Sequence, residues 1–308
     1  MSIGIVFPGQ GSQSVGMLGD LAIEYSQIEE RFGLAGESIG LDLWDIVKSG
    51  PEERLASTEI TQPALLTASV VIYELLKSEG GINPAIMAGH SLGEYSALVC
   101  AESIGFIDAV RLVHQRGLLM KEAVPNGQGG MAAILGLDAS LVEECCDRAE
   151  GVVSPANFNA PGQIVIAGTI NAVKEAAELC KEAGARRSTI LNVSGPFHSS
   201  LMEPARDDFA EFLGDTPLSM PSVPVAHNVD GSVAKSVDEL KSKLIAQLSA
   251  PVCWEDCMAA IYQSEITNLI ECGPGKVLTG LNKRINPSIA CQNAGTVEGL
   301  RSIVDQLA

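Results

Sequence analysis

The chain has 308 residues, 46% of them hydrophobic and 19% charged, which is enough apolar material for two packed units or for one with an inserted lobe. Its net charge of −18 argues against nucleic acid or an anionic membrane as partner. No apolar run is long enough to span a bilayer, and the start, Met1-Ser2-Ile3-Gly4-Ile5-Val6-Phe7, lacks the basic region of a secretory signal, so a cytoplasmic protein is expected.

Residues 3–7 read as a strand, followed by the glycine-rich loop Gly9-Gln10-Gly11-Ser12-Gln13. This loop lacks the spacing of a dinucleotide fingerprint, and Gly273-Pro274-Gly275-Lys276 is not a phosphate loop, so no nucleotide cofactor is expected. Residues 64–79 carry a helical pattern. Ile86-Met87-Ala88 reads as a strand end, 92–101 as a helix, and 107–122 as a second helix. From 131 the pattern changes. Strands are expected at 131–135, 152–153, 163–167 and 188–193, with helices at 140–149 and 171–183 and a turn-rich stretch over 157–162. The order β-α-β-β-α-β is that of a ferredoxin-like unit. Strand-like runs return at 223–226 and 266–271. The fold expected is α/β: a hydrolase-like core with a mostly parallel sheet over residues 1–125 and 195–308, and a small ferredoxin-like subdomain over 126–194. A cleft between the two is where a ligand would sit.

Between the strand at 86 and the helix at 92 stands Gly89-His90-Ser91-Leu92-Gly93, a nucleophile elbow in the strand–turn–helix setting that the motif requires. Ser91 needs a neighbouring base. His90 adjoins it in sequence and points elsewhere, and His114 lies within a helix. His198, in a loop where the two lobes meet, is preferred; by spacing alone His227 is nearly as good. The N–H of Leu92 is one candidate donor for an oxyanion, and the loop at Gln10 a source of the second. Arg116 falls on the apolar stripe of its helix with Ala109, Leu112, Val113 and Met120. A structural ion pair or a side chain reaching back to water explains it, and so does a clamp for a substrate carboxylate. The eight cysteines form no C-x-x-C pair, and no histidine pair has metal-ligand spacing; buried thiols and no metal are expected.

Taken together, Phe7-Pro8-Gly9-Gln10-Gly11, Thr61-Gln62-Pro63, Gly89-His90-Ser91-Leu92-Gly93-Glu94, Gln115-Arg116-Gly117, Gly195-Pro196-Phe197-His198-Ser199 and Gly273-Pro274-Gly275-Lys276 resemble, end to end, the malonyl-CoA:acyl-carrier-protein transacylases of fatty-acid synthesis. The resemblance implies malonyl transfer through a malonyl-serine. Ser91 would be the nucleophile and His198 the general acid and base, with the amides of Gln10 and Leu92 as oxyanion hole. It implies Arg116, Gln247 and Phe197 on the substrate, with Phe197 crowding an α-methyl group. The histidine would be oriented by a carbonyl near Gln247, with the Gln247 side chain a second candidate, rather than by an aspartate. It implies malonyl-CoA and holo acyl carrier protein as partners, no cofactor, and a monomer. A serine esterase or thioesterase shares the elbow, but would call for an acid between serine and histidine. Arg186-Arg187 and Lys283-Arg284 are the close basic pairs available for an acidic carrier protein.

Overall fold

Strand β1 (Ile3–Phe7) is buried along its whole length. Ile3, Ile5 and Phe7 enter one apolar cluster and Val6 another, as alternation requires of a central strand covered on both faces. The computed structural model describes residues 2–193 and 195–307. Ser194, which closes the expected small subdomain and opens the histidine loop, lies outside the described residues.

After β1 the strands are β2 (Ile86–Gly89), β3 (Gly129–Leu135), β4 (Val153–Ala160), β5 (Gln163–Thr169), β6 (Arg187–Ile190), β7 (Val225–Ala226), β8 (Val252–Cys253), β9 (Asn268–Glu271) and β10 (Cys291–Asn293). One sheet has the order β10-β9-β1-β2-β7, with every pairing parallel. Helices cover both of its faces, and the loops leaving the C-terminal ends of β1 and β2 face a common crevice, the usual ligand position in such sheets. The other sheet has the order β6-β3-β5-β4-β8. Its pairings among β3, β4, β5 and β6 are antiparallel, and β8 joins β4 in parallel. Helices Ala139–Arg148 and Ile170–Glu182 pack on it through Val142, Cys146, Val173 and Ala177. The whole is a mixed α/β fold.

The structure corrects three expectations. The helix expected over 64–79 spans Thr58–Gly80 and contains Pro63. Proline lacks the N–H that would bond the carbonyl four residues back. That carbonyl, on Glu59, instead faces His114 Nδ1 at 2.7 Å, so the helix runs on unbroken. The stretch 157–162 is not a turn: β4 extends to Ala160, and only Pro161-Gly162 connects it to β5. Asn157 and Asn159 read as turn formers because strands disfavour asparagine, but here both line the crevice. Finally β8, from the C-terminal third, extends the second sheet, a long-range pairing with no local signal. Residues 19–55, for which no element was expected, are mostly helical.

Among the described residues no helix is long and apolar enough to cross a membrane, and no His/Cys/Asp/Glu cluster is suited to a metal. All eight cysteines are free thiols.

Candidate active site

The elbow is a matter of space. A Cβ on Gly89 would lie 1.9 Å from the Gly93 carbonyl carbon, and one on Gly93 would lie 2.1 Å from Phe7 O, so neither position admits a side chain. Between them Ser91 takes the left-handed conformation, φ 51°, a strained geometry for serine that the surroundings enforce. Asn228 does much of the enforcing. Its Oδ1 accepts from Ser91 N at 2.6 Å and its Nδ2 donates to Gly89 O at 2.7 Å, clamping the turn on both sides.

His198 also sits at positive φ, 60°, and is 4% exposed. Its Nε2 lies 2.7 Å from Ser91 Oγ, and its Nδ1 lies 2.8 Å from the backbone carbonyl of Gln247. A carbonyl only accepts, so Nδ1 carries the proton and Nε2 offers its lone pair to the serine hydroxyl. Burial and the nearby Arg116 charge push the imidazole down to about 3, which keeps it neutral and receptive around pH 7. The group orienting His198 is the Gln247 main chain. This corrects the expectation that its side chain serves as a second orienting group.

Arg116 is 1% exposed, on the buried face of helix Phe106–Glu122. Nη1 donates to Gln62 Oε1 at 2.8 Å, Nη2 to Gln247 Oε1 at 3.0 Å and, more distantly, to Ser91 Oγ at 3.4 Å. The guanidinium stands 5.3 Å from the Tyr95 ring centroid. Among the described residues no carboxylate reaches it, and Nε has no partner. It is therefore neither a structural ion pair nor a side chain reaching water. Burial lowers its pKa, with Tyr95 and the Glu94 carboxylate beyond Gln247 opposing the shift. Gly117 explains how the arginine arrives there. A Cβ at that position would stand 2.5 Å from Glu59 Cα, so the two helices pack backbone against backbone, bringing Arg116 to Gln62.

Gln247 is fully buried and does not line the cavity. Its side chain lies behind Arg116, which corrects the expectation that it meets substrate directly. Nε2 donates to Glu94 Oε2 at 2.8 Å and to Ser91 O at 3.1 Å. Glu94, also fully buried, takes the Asn228 N–H at 2.9 Å on the same oxygen and faces His227 Nδ1 at 2.7 Å with the other. His227 is thus held away from Ser91. His90 turns to Asn159 Oδ1 at 2.7 Å, with its ring centroid 5.4 Å from that of Trp254.

The cavity in front of Ser91 is lined by Gln10, Leu92, Arg116, His198 and, opposite, Asn157 and Asn159. The N–H groups of Gln10 and Leu92 make no hydrogen bond among the described residues, which leaves two donors beside the serine. Phe197, 6% exposed, closes one wall with Met120 and Met131. Arg186, Arg187, Lys283 and Arg284 are exposed. Gln62, Glu94 and Asn228 were missed as site residues. Gln62 and Glu94 sit inside motifs already singled out; Asn228 offers no signal beyond adjacency to His227.

A hydroxyl bonded to a neutral imidazole, two free amides and a buried cation together suit acyl transfer from a donor that carries a carboxylate. The acyl transferase domain model matches residues 5–286. Malonyl CoA-acyl carrier protein transacylase of Escherichia coli (strain K12) is 54% identical over 282 residues, 91% of each chain; its counterpart in Bacillus subtilis (strain 168) is 45% identical over 302 residues, 96% of this chain and 95% of that one. An acyl carrier protein S-malonyltransferase from Vibrio cholerae O1 biovar eltor superposes with a TM-score of 0.94 at 49% identity, over 98% of this chain and 100% of that one. The solved complex of a type II PKS acyl-carrier protein with its malonyl-transacylase, PlMCAT:AntF, superposes with a TM-score of 0.98 at 45% identity, over 99% of this chain and 100% of that one. The chain belongs to the acyl transferase domain family, among the malonyl CoA-acyl carrier protein transacylases.

Proposed function

We propose that this protein transfers the malonyl group of malonyl-CoA to the phosphopantetheine thiol of acyl carrier protein through a malonyl-Ser91 intermediate, supplying chain elongation in fatty-acid synthesis. Ser91 Oγ attacks the thioester carbonyl while His198 Nε2 takes the hydroxyl proton. The N–H groups of Gln10 and Leu92 receive the developing oxyanion. Collapse breaks the C–S bond, and His198 returns its proton to the departing CoA sulfur. In the second half the carrier thiol loses its proton to His198, attacks the ester carbonyl, and displaces Ser91, which is reprotonated. Side chains and two thiols suffice, with malonyl-CoA as substrate rather than cofactor.

One observation carries the choice of malonyl: Arg116, buried and without a carboxylate, stands 3.4 Å from Ser91 Oγ. A malonyl group attached at that serine brings its free carboxylate to the guanidinium and supplies a counter-ion in direct contact. Phe197 beside Met120 and Met131 supports selection against an α-methyl group on steric grounds. The strand order β6-β3-β5-β4 supports reading residues 126–194 as a ferredoxin-like subdomain, set into a hydrolase-like core of residues 1–125 and 195–308.

Rapid mixing with malonyl-CoA should release a burst of CoA close to one per enzyme, with sustained turnover only on adding holo acyl carrier protein. Steady release of malonate without a thiol acceptor would instead mark a hydrolase.

A further inference from the structure

We infer that Glu94 is a positioning residue for malonyl recognition: it fixes which end of the Gln247 amide faces Arg116, and through that amide it holds the guanidinium where a carboxylate can use it. The inference rests on the malonyl-transfer reading above.

A glutamine amide has two ends of opposite polarity in nearly the same shape. Gln247 Nε2 faces only acceptors: Glu94 Oε2 at 2.8 Å, Ser91 O at 3.1 Å and Asn228 Oδ1 at 3.4 Å. Its Oε1 faces Arg116 Nη2 at 3.0 Å. Turning the amide over would set an oxygen against three oxygens and an NH₂ against the guanidinium. Glu94 is the strongest of the three acceptors and has no freedom to reverse its own role. The amide of Asn228 is fixed independently, by Ser91 N and Gly89 O. Gln62 holds the other guanidinium nitrogen, Nη1, from the opposite side at 2.8 Å. Arg116 is thus suspended between two amide oxygens, and Glu94 sets the polarity of one of them. No part of Glu94 lines the cavity, so it acts only through other residues.

Glu94 has a second arm, the Asn228 N–H at 2.9 Å, which leads to the elbow itself. The two arms separate by substrate. Loss of elbow support, the Ser91 O contact of Gln247 included, slows every acyl group alike, whereas loss of the hold on Arg116 weakens only an acyl group that carries a carboxylate.

The test is Glu94→Leu, which removes the acceptor that Gln247 Nε2 faces and so frees that amide to turn over. The ratio of kcat/KM for malonyl-CoA to that for acetyl-CoA should fall about tenfold, chiefly through a higher KM for malonyl-CoA, as expected for weakening a hydrogen-bonded charge contact. In an Arg116→Ala background the same substitution should leave the ratio where Arg116→Ala alone puts it. Equal loss of both acyl groups, or an unchanged ratio, overturns the inference, and so does an additive fall in the Arg116→Ala background. Should Glu94→Leu not fold, Gln247→Met breaks the same arm while sparing the one to Asn228, and an unchanged ratio there is equally fatal. Wild-type protein run alongside separates this failure from that of the malonyl reading: if it forms no malonyl-enzyme, the reading itself is wrong.

Discussion

Two buried histidines flank the elbow, and they are wired in opposite ways. His227 has the acid partner associated with serine catalysis, its Nδ1 2.7 Å from Glu94, yet its Nε2 finds no partner among the described residues. His198 has no acid, only the Gln247 carbonyl, yet its Nε2 lies 2.7 Å from Ser91 Oγ. A carboxylate behind a histidine is therefore a poor guide to which histidine reaches the serine. What matters is where the second ring nitrogen points. The carbonyl still fixes the tautomer, which is the essential part of the orienting role. Glu94 is freed to organise the elbow and Gln247 instead.

The sharpest way to break this comparison is to remove each ring in turn. His198→Ala should slow acylation by about 10²- to 10⁴-fold, the usual loss for a general base. His227→Ala should cost less than about tenfold in rate, while lowering stability by about 1–3 kcal/mol because a buried Glu94 oxygen loses its donor. Stopped-flow CoA release with thermal unfolding on the same samples reads both. A larger rate loss from His227→Ala at equal folded fraction would reverse the assignment.

Arg116→Ala comes next in size. The contact it removes is a desolvated charge pair of roughly 2–4 kcal/mol, so preference for malonyl over acetyl should fall about 30- to 1000-fold. Competition between malonyl-CoA and acetyl-CoA for Ser91 measures it. Equal loss of both would make Arg116 a scaffold.

The pH profile sharpens the contrast further. His198 is held at about 3 by burial and by Arg116, against an unperturbed value of about 6.5. The fold favours the neutral ring, so the free enzyme should keep its acylation rate as pH drops from 8 through 6, where an ordinary histidine would already be protonated. The fold's preference for neutral His198 costs nothing above about 6.5 and destabilises the native state progressively as pH falls below that value. Arg116→Ala removes one of the three depressing influences, burial, Arg116 and His90, so the acid limb should move upward. Rates of CoA release between pH 4 and 8 test this, and a wild-type limb centred near 6.5 would contradict it.

The smallest effect expected is from Gln62→Leu, which takes one acceptor from Arg116 while Gln247 still holds the other. A loss near 1 kcal/mol corresponds to a rise of about fivefold in KM for malonyl-CoA, with kcat nearly unchanged. Steady-state kinetics suffice to see it.

Much of the site was legible because its chemistry is written locally. Gly89, Ser91 and Gly93 carry their turn with them, and Arg116 betrays itself by sitting on an apolar stripe. The β-α-β-β-α-β order, seen here from β3 to β6, was legible in the periodicity. What sequence could not show are contacts made over long separations: Gln62 to Arg116 across 54 positions, Glu94 to His227 across 133, and Asn228 to Ser91 across 137. No periodicity announces these, since each depends on how helices and sheet pack. Pro63 and the asparagines of β4 misled for a related reason. Local preference argued against regular structure, and distant partners, His114 for the Glu59 carbonyl and β5 with β8 for the strand, overrode it.

The ring without an acid, His198, is the one expected to activate Ser91 to take a malonyl group. Brief exposure to malonyl-CoA, followed by intact-mass analysis and peptide mapping, tests this most directly. One malonyl group per chain is expected, on Ser91, formed at nearly the wild-type rate in His227→Ala, almost absent in His198→Ala, and discharged by holo acyl carrier protein. An adduct on another residue, or one that forms as well without His198 as with it, would contradict the account.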